Sequence, residues 1–163
     1  MPRKIKLTAL LAALLLATAA PARDHWVATW TASPSPAPPS LEEMRKAQFA
    51  FQNQTLREIV HVSIGGKSVR VRLSNAYGKE QVEIGAARIA LRSRQSEVGA
   101  SRALTFSGRA SVIIPPDAQV LSDPVALDVP ASGDLAISLF LPKHNSGGRH
   151  PLRRATDLLC WRR

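Results

Sequence analysis

The stretch LREIVHVSIGGKSVRVRL, residues 56–73, decides the fold class, because its apolar residues recur at every second position. The run 59–64 alternates in this way, and the run 69–73 alternates valine or leucine with arginine. A period of two is typical of a β-strand with one apolar face and one wet face. Gly65 and Gly66 stand between the two runs and are typical of a tight turn. The stretch therefore predicts two strands joined by a turn.

The same pattern continues along the chain, with turn-forming residues between the apolar runs. Further strands are predicted at 82–91, 104–106, 112–114, 125–129 and 135–141. Many short strands at this spacing with little helix predict an all-β fold, an antiparallel β-sandwich or jelly-roll-like single domain after a cleaved signal peptide. The expected organisation is a signal peptide 1–22, an N-terminal segment 23–55, a sandwich body 56–142 that includes the Trp26 region, and a basic tail 143–163.

Residues 1–22 have the pattern of an export signal. Three basic residues precede an apolar run of 14 residues, and Ala20 and Ala22 supply the small residues that a signal peptidase reads. A helix of that length spans about 21 Å, short of the roughly 30 Å hydrocarbon core, so a cleaved signal is favoured over a retained anchor. We expect cleavage near Ala22, a periplasmic or extracellular location, and no membrane contact afterwards.

The segment between the signal and the body combines three features. An apolar stretch at 26–32 reads as an N-terminal strand, and four prolines within 33–40 favour an extended connector because they forbid helix and ladder pairing. Residues 41–52 fit a short helix with Ser40 as N-cap and Glu43 at the capping-box position. A proline-flanked loop accounts for the same residues, so both alternatives stay open.

The formal net charge of +10 is concentrated at the two ends of the chain. Residues 23–142 hold thirteen basic and eleven acidic residues, a net charge of only +2. Mixed charge, few aromatic residues and the expected export all disfavour nucleic acid as a partner. The single cysteine, Cys160, excludes a disulfide within the chain and a multi-cysteine zinc site.

The sequence holds no complete catalytic motif. The sequence contains neither G-x-S-x-G nor G-D-S; Gly133-Asp134-Leu135 comes nearest, but leucine is no nucleophile, and a turn that feeds the last strand is favoured. His61 and Ser63 share a strand face, yet local spacing places no acid to orient the imidazole, so a partly buried structural histidine is favoured over a base. The histidine spacing indicates no metal. No catalytic, cofactor-binding or metal-binding residue is assigned.

Three aromatic residues leave a binding function open. Trp26, Trp30 and Tyr77 could stack against sugar rings, and they equally fit aromatic side chains packed in a core. A free-standing secreted binding module, with carbohydrate as the ligand, is therefore an alternative interpretation of the chain.

Several blocks, in the same order along the chain, resemble the N-terminal β-domain of bacterial secreted SGNH/GDSL-type hydrolases. The opening at 26–36 fits as well, and the resemblance covers residues 24–142. The blocks are NQTLREIVHVSIGG (53–66), VRVRLSNAYG (69–78), IGAA (84–87), LTFSG (104–108), SDPV (122–125) and DLAISL (134–139).

The resemblance implies a domain that precedes an α/β catalytic domain in carboxylic-ester hydrolases. In that family the catalytic domain carries the G-D-S nucleophile block, oxyanion-hole glycine and asparagine residues and a D-x-x-H block. None of these occurs here, so the resemblance transfers no catalytic residue and implies a chain that is inactive alone. The β-domain would pack against the catalytic domain or help to shape its substrate cleft.

The chain departs from the family pattern at Lys143. Family members continue with a Gln-Thr-x-Tyr-like motif, whereas this chain becomes arginine-rich and reaches Arg163 without it. Back-translation of 155–160 one nucleotide out of phase permits Gln-Gln-Thr-Ser-Tyr. We therefore interpret 143–163 as a frameshifted tail on a truncated hydrolase, and a naturally short protein with a basic, disordered tail is the alternative.

Overall fold

The computed structural model describes residues 26–32, 53–78, 80–142 and, for the backbone alone, 156–162. Several predicted features lie outside the described residues. These are the signal peptide 1–22, the proline-rich connector 33–40, the helix or loop at 41–52, and the first part of the expected tail, 143–155.

The described residues contain no helix and form twelve strands, which confirms the all-β prediction. The strands are β1 (Trp26–Trp30), β2 (Gln54–His61), β3 (Gly66–Ser74), β4 (Val82–Ile84), β5 (Ala86–Arg94), β6 (Glu97–Val98), β7 (Arg102–Leu104), β8 (Val112–Ile114), β9 (Gln119–Leu121), β10 (Val125–Val129), β11 (Asp134–Leu141) and β12 (Thr156–Arg162).

The strands form two five-stranded antiparallel sheets and one two-stranded ribbon. Sheet A has the order β1-β12-β3-β10, and β9 also pairs with β3. Sheet B has the order β2-β11-β5-β6, and β7 also pairs with β5. Strands β4 and β8 pair with each other in the ribbon. The predicted antiparallel sandwich is therefore the architecture observed.

The core consists of the inward side chains of both sheets. From β3 it receives Val69, Val71 and Leu73, and from β11 Leu135, Ile137, Leu139 and Leu141, all 0% exposed. Burial of one such side chain stabilises the fold by about 1.5–3 kcal/mol. Apolar residues recur at every second position of both strands because every second side chain is directed into this shared core.

The run 82–91, predicted as one strand, is divided at Gly85. Residues before it form β4 in the ribbon, and residues after it form β5 in sheet B. The Gly85 N–H donates to the Phe140 carbonyl oxygen at 2.9 Å, and a Cβ atom there would lie 3.0 Å from the Phe140 ring. The uninterrupted apolar pattern did not show this break, because both halves bury side chains.

The turn predicted at Gly65-Gly66 does not close a hairpin. Strand β2 belongs to sheet B and β3 to sheet A, so residues 62–65 form a corner at which the chain crosses between the sheets. A Cβ atom on Gly65 would lie 2.6 Å from the Ala131 nitrogen and 2.7 Å from the Val129 carbonyl oxygen. Glycine at this corner therefore permits a close backbone approach. It does not form the turn of a hairpin, because β2 and β3 do not pair with each other.

Thr29 of β1 holds this corner in place. Its hydroxyl accepts from the Ile64 N–H at 2.8 Å and donates to the Ile64 carbonyl oxygen at 2.9 Å. Its own carbonyl oxygen accepts from the Ser63 hydroxyl at 2.9 Å and from the Ser63 N–H at 3.3 Å. Thr29 is only 6% exposed, so loss of the hydroxyl would leave buried backbone groups without partners.

The segment expected as a basic tail contributes to sheet A. Strand β12 pairs with β1 on one side and with β3 on the other. Disorder therefore does not describe Thr156–Arg162, because these residues satisfy backbone groups of two strands that would otherwise present free edges. The reading frame is a property of the gene, and the frameshift stays a prediction.

Replacement of Gly65 tests the close approach at the corner. We expect Gly65→Ala to lower the free energy of unfolding by about 1–3 kcal/mol, because the atoms that the new methyl group meets are backbone and cannot rotate away. Gly99→Ala is the matched control, since its new Cβ atom would have the Leu91 carbonyl oxygen at 3.6 Å as its nearest neighbour. Urea denaturation measures both variants, and equal losses would contradict this explanation.

Candidate functional site: a polar row on sheet B

Three neighbouring strands of sheet B bring His61, Arg92 and Asp134 into one row. Asp134, the first residue of β11, is the register partner of His61, the last residue of β2. On the other side of β11, Leu135 is the partner of Leu91 in β5, so Arg92 lies beside Asp134 one step further along. Because Leu135 faces the core, its neighbours in sequence face outward. The row lies on the outer face of sheet B.

Asp134 joins the other two side chains. Its Oδ1 lies 2.8 Å from His61 Nδ1, and its Oδ2 accepts from Arg92 Nη1 at 3.0 Å. The exposed fraction is 65% for the His61 side chain, 35% for Asp134 and 30% for Arg92. The carboxylate and the guanidinium are thus partly shielded, while the imidazole is open to solvent.

The hydrogen bonds of Asp134 define its charge and the orientation of the imidazole. The hydrogen bond from His61 and, after it, the hydrogen bond from Arg92 hold the pKa of this carboxyl below its usual 3.8, against a partial desolvation that acts in the opposite direction. An ionised carboxylate can only accept, so His61 Nδ1 carries a proton. The other ring nitrogen, Nε2, forms no hydrogen bond within the described part of the chain.

This arrangement supplies an oriented imidazole without an activated nucleophile. A carboxylate on Nδ1 is the second half of a Ser-His-Asp triad. The neighbouring Ser63 hydroxyl, however, donates its proton to the Thr29 carbonyl oxygen at 2.9 Å. A hydroxyl committed to a backbone carbonyl is not activated by a base. The row can exchange a proton or hold a hydrogen-bonding ligand at Nε2.

The structure corrects the interpretation of His61 as a mid-strand, partly buried histidine. The residue ends β2 and is exposed, because it follows the last inward residue of the strand, Val60. Asp134, the acid that orients His61, is 73 positions away in sequence, so the local spacing of residues could not predict this pair. The interpretation of Gly133-Asp134-Leu135 as a turn that feeds a strand is confirmed, and that strand is β11, with β12 following it.

The aromatic residues considered for sugar stacking lie in different surroundings. The Arg70 guanidinium lies 5.4 Å from the centroid of the Trp26 ring, a cation–π distance. Trp30 packs against the core cluster. Tyr77 is 44% exposed. The three residues therefore do not share one environment, and only the Tyr77 side chain is open to solvent to this degree.

A second polar cluster, centred on Asp123, is structural. The Asp123 carboxylate accepts from Thr105 Oγ1 at 2.7 Å, from the Gly108 N–H at 2.7 Å and from the Ser107 N–H at 3.1 Å. These bonds, with that from Gly108 as the largest contribution, lower the pKa of Asp123. The cluster ties the turn after β7, in sheet B, to the residue that precedes Pro124 and β10, in sheet A, so its role is to join the sheets.

The arginines of the body are divided between the two sheets. Arg70 and Arg72 belong to β3 of sheet A, whereas Arg57, Arg88 and Arg92 belong to β2 and β5 of sheet B. A continuous basic face of the kind that follows a nucleic-acid backbone would need them on one surface.

The described residues contain no group of three or more His, Cys, Asp or Glu side chains arranged to hold a metal ion. None of them belongs to a helix that is long and apolar enough to cross a membrane. Comparison of the chain with models of protein families found no match, and neither did comparison with the curated proteins.

The ionised state of Asp134 predicts a pH dependence of stability. Because the native pKa lies below the ordinary 3.8, the stabilisation from Asp134 is complete above that value and is lost as the pH falls through the native value. We expect Asp134→Asn to flatten the fall in unfolding free energy between about pH 5 and pH 2, the range in which the carboxylate becomes protonated. Asp117→Asn is the control, since the exposed Asp117 side chain forms no hydrogen bond with described residues. An unchanged slope in Asp134→Asn would contradict the prediction.

Proposed function

We propose that the chain is the N-terminal β-domain of an exported SGNH/GDSL-type carboxylic-ester hydrolase. It lacks the catalytic blocks and is inactive alone. The observation that supports this most is that the blocks carrying the resemblance coincide with positions that build the sandwich. Gly65, from the block 53–66, is one example, because it permits the crossing between the sheets.

The block 69–78 contains a second residue that stabilises the sandwich, Asn75. Asn75, 1% exposed, donates from Nδ2 to the carbonyl oxygens of Glu80, Ile114 and Pro115 at 2.9, 3.1 and 2.9 Å. A Cβ atom on Gly78 would lie 1.7 Å from Asn75 Oδ1, so the asparagine requires the glycine. The pair joins the loop after β3 to the segment after β8.

The block 122–125 fills an interruption in sheet A. Between β9 and β10, the Ser122 hydroxyl accepts from the Val71 N–H at 2.9 Å, and the Ser122 N–H donates to the Val71 carbonyl oxygen at 2.8 Å. Ser122 is 0% exposed, so its hydroxyl replaces a backbone acceptor that the ladder lacks here. Asp123, next in this block, joins the two sheets. These blocks therefore contain residues that stabilise the sandwich, as expected for a domain that supports a catalytic partner.

Two exposed apolar side chains support a partner surface. Tyr77 is 44% exposed and Ile113 is 52% exposed. The hydrogen bonds of Asn75 hold the loop that contains Tyr77 against the end of β8, which contains Ile113. Both side chains thus belong to one end of the sandwich, where an α/β catalytic domain would cover them.

The truncation proposal is tested at the level of the gene. We propose that the codons from about residue 143 onward are out of phase with the parent gene. The downstream DNA, translated in the other frames, is expected to encode the Gln-Thr-x-Tyr-like segment followed by G-D-S and D-x-x-H blocks. A downstream sequence without these blocks in any frame would overturn the proposal of a frameshifted hydrolase.

The absence of activity is tested with the purified chain. We expect no hydrolysis of a short-chain nitrophenyl ester above the rate in buffer. The Ser63 hydroxyl donates its hydrogen bond to a backbone carbonyl oxygen, and the sequence contains no G-D-S serine. Ser63→Ala and His61→Ala serve as matched variants and are expected to leave this baseline unchanged. Hydrolysis that disappears in either variant would show that the chain has its own catalytic site.

A further inference from the structure

The outer face of sheet B carries a second row, four residues along β11 from the first. Ser138 of β11 is the register partner of Arg57 in β2 and of Arg88 in β5. The buried side chains of Ile137 and Leu139 face the core, so Ser138 and its two partners face outward. With strands about 4.8 Å apart, the two arginine Cα atoms lie about 10 Å apart on either side of a serine.

Hydrogen bonds hold both guanidinium groups. Arg57 donates from Nε to the Ser138 hydroxyl at 3.1 Å and from Nη1 to the Ser96 carbonyl oxygen at 3.2 Å. Arg88 donates from Nε to the Ser101 hydroxyl at 2.8 Å and from Nη2 to the Ser101 carbonyl oxygen at 3.2 Å. Since a guanidinium has five N–H donors, each group keeps further donors that no described residue accepts from. Partial anchoring lowers the entropy lost when such a group binds a ligand.

Neither arginine of this row, Arg57 or Arg88, is paired with a carboxylate of the described residues. The carboxylate of the first row, Asp134, lies four residues further along β11, about 13 Å away at strand spacing, and is engaged by His61 and Arg92. Two positive charges on either side of a neutral hydroxyl repel each other unless an anion lies between them.

An aromatic side chain lies beside the two arginines. Phe140 is the partner of Thr55 and of Ala86, in the next outward row of the same three strands. It is absent from the core cluster that contains Leu139 and Leu141 and is partly exposed. An aromatic ring on the outer face of a sheet offers an apolar surface on which a sugar ring can lie.

We propose that the row Arg57–Ser138–Arg88, together with Phe140, binds an acidic saccharide. The carboxylate of the sugar accepts hydrogen bonds from the two guanidinium groups, a pairing that suits the planar arginine fork, and the apolar face of the sugar lies against the phenyl ring. A single-stranded nucleic acid is a poorer match, because its bases stack on successive aromatic side chains and this row adjoins one.

The test measures binding of oligogalacturonate to the full chain by titration calorimetry. We expect saturable binding that weakens as salt is raised, because exposed charges are screened. Arg57→Gln with Arg88→Gln is expected to weaken binding by about tenfold or more, since charge-assisted hydrogen bonds are the strong ones. Arg109→Gln is the control for loss of a positive charge elsewhere, because Arg109 is exposed and lies in the turn after β7, outside the strands of the row; it is expected to leave binding unchanged.

Other outcomes would overturn the proposal. These are no binding by the wild-type chain, equal binding of a neutral oligosaccharide or of an oligonucleotide, or an equal loss of affinity in Arg109→Gln. Thermal unfolding identifies any variant that fails to fold. If the double variant does not fold, the single variants Arg57→Gln and Arg88→Gln carry the test, each with an expected loss of affinity, and unchanged affinity in both would overturn the proposal.

Discussion

The crossing of the chain from sheet B to sheet A at residues 62–65 is the constraint on which the rest of the structure depends. Because β2 and β3 lie in opposite sheets, their apolar faces meet across the core. Thr29 fixes the crossing through hydrogen bonds to Ser63 and Ile64, and Gly65 lets the backbone pass close to residues 129–131. A hairpin at this position would leave β11 without β2 as its neighbour.

The position of β11 between β2 and β5 creates the polar surface of sheet B. Each outward residue of β11 receives one neighbour from each side, so side chains from three distant segments form rows. In the row of Asp134, a carboxylate balances an arginine and orients a histidine. In the row of Ser138, a hydroxyl takes the place of the carboxylate, and no carboxylate among the residues that the structure describes pairs with the two arginines beside it. The same geometry thus gives one row in which a carboxylate and a guanidinium are paired and one row that carries two positive charges.

The proposed role as a support domain and the proposed saccharide row concern different surfaces. Tyr77 and Ile113 expose apolar area at one end of the sandwich, while Arg57, Arg88 and Phe140 belong to the outer face of sheet B. An oriented imidazole is present, but the nearby Ser63 hydroxyl is bound to the backbone. The described residues therefore combine a hydrogen-bonded framework with surfaces that suit a partner and a ligand, which fits the proposed domain that acts beside a catalytic unit.

The sequence by itself determined the fold class, because the alternation of apolar residues indicates which face of each strand is buried. Runs such as 69–73 and 135–141 therefore appeared as strands without knowledge of their neighbours. Alternation does not predict which strand pairs with which, since every core strand shows the same period. The crossing at Gly65, the break at Gly85, the insertion of β12 and the pairing of His61 with Asp134 were consequently decided by the tertiary structure, where a shared core and backbone hydrogen bonds select the neighbours.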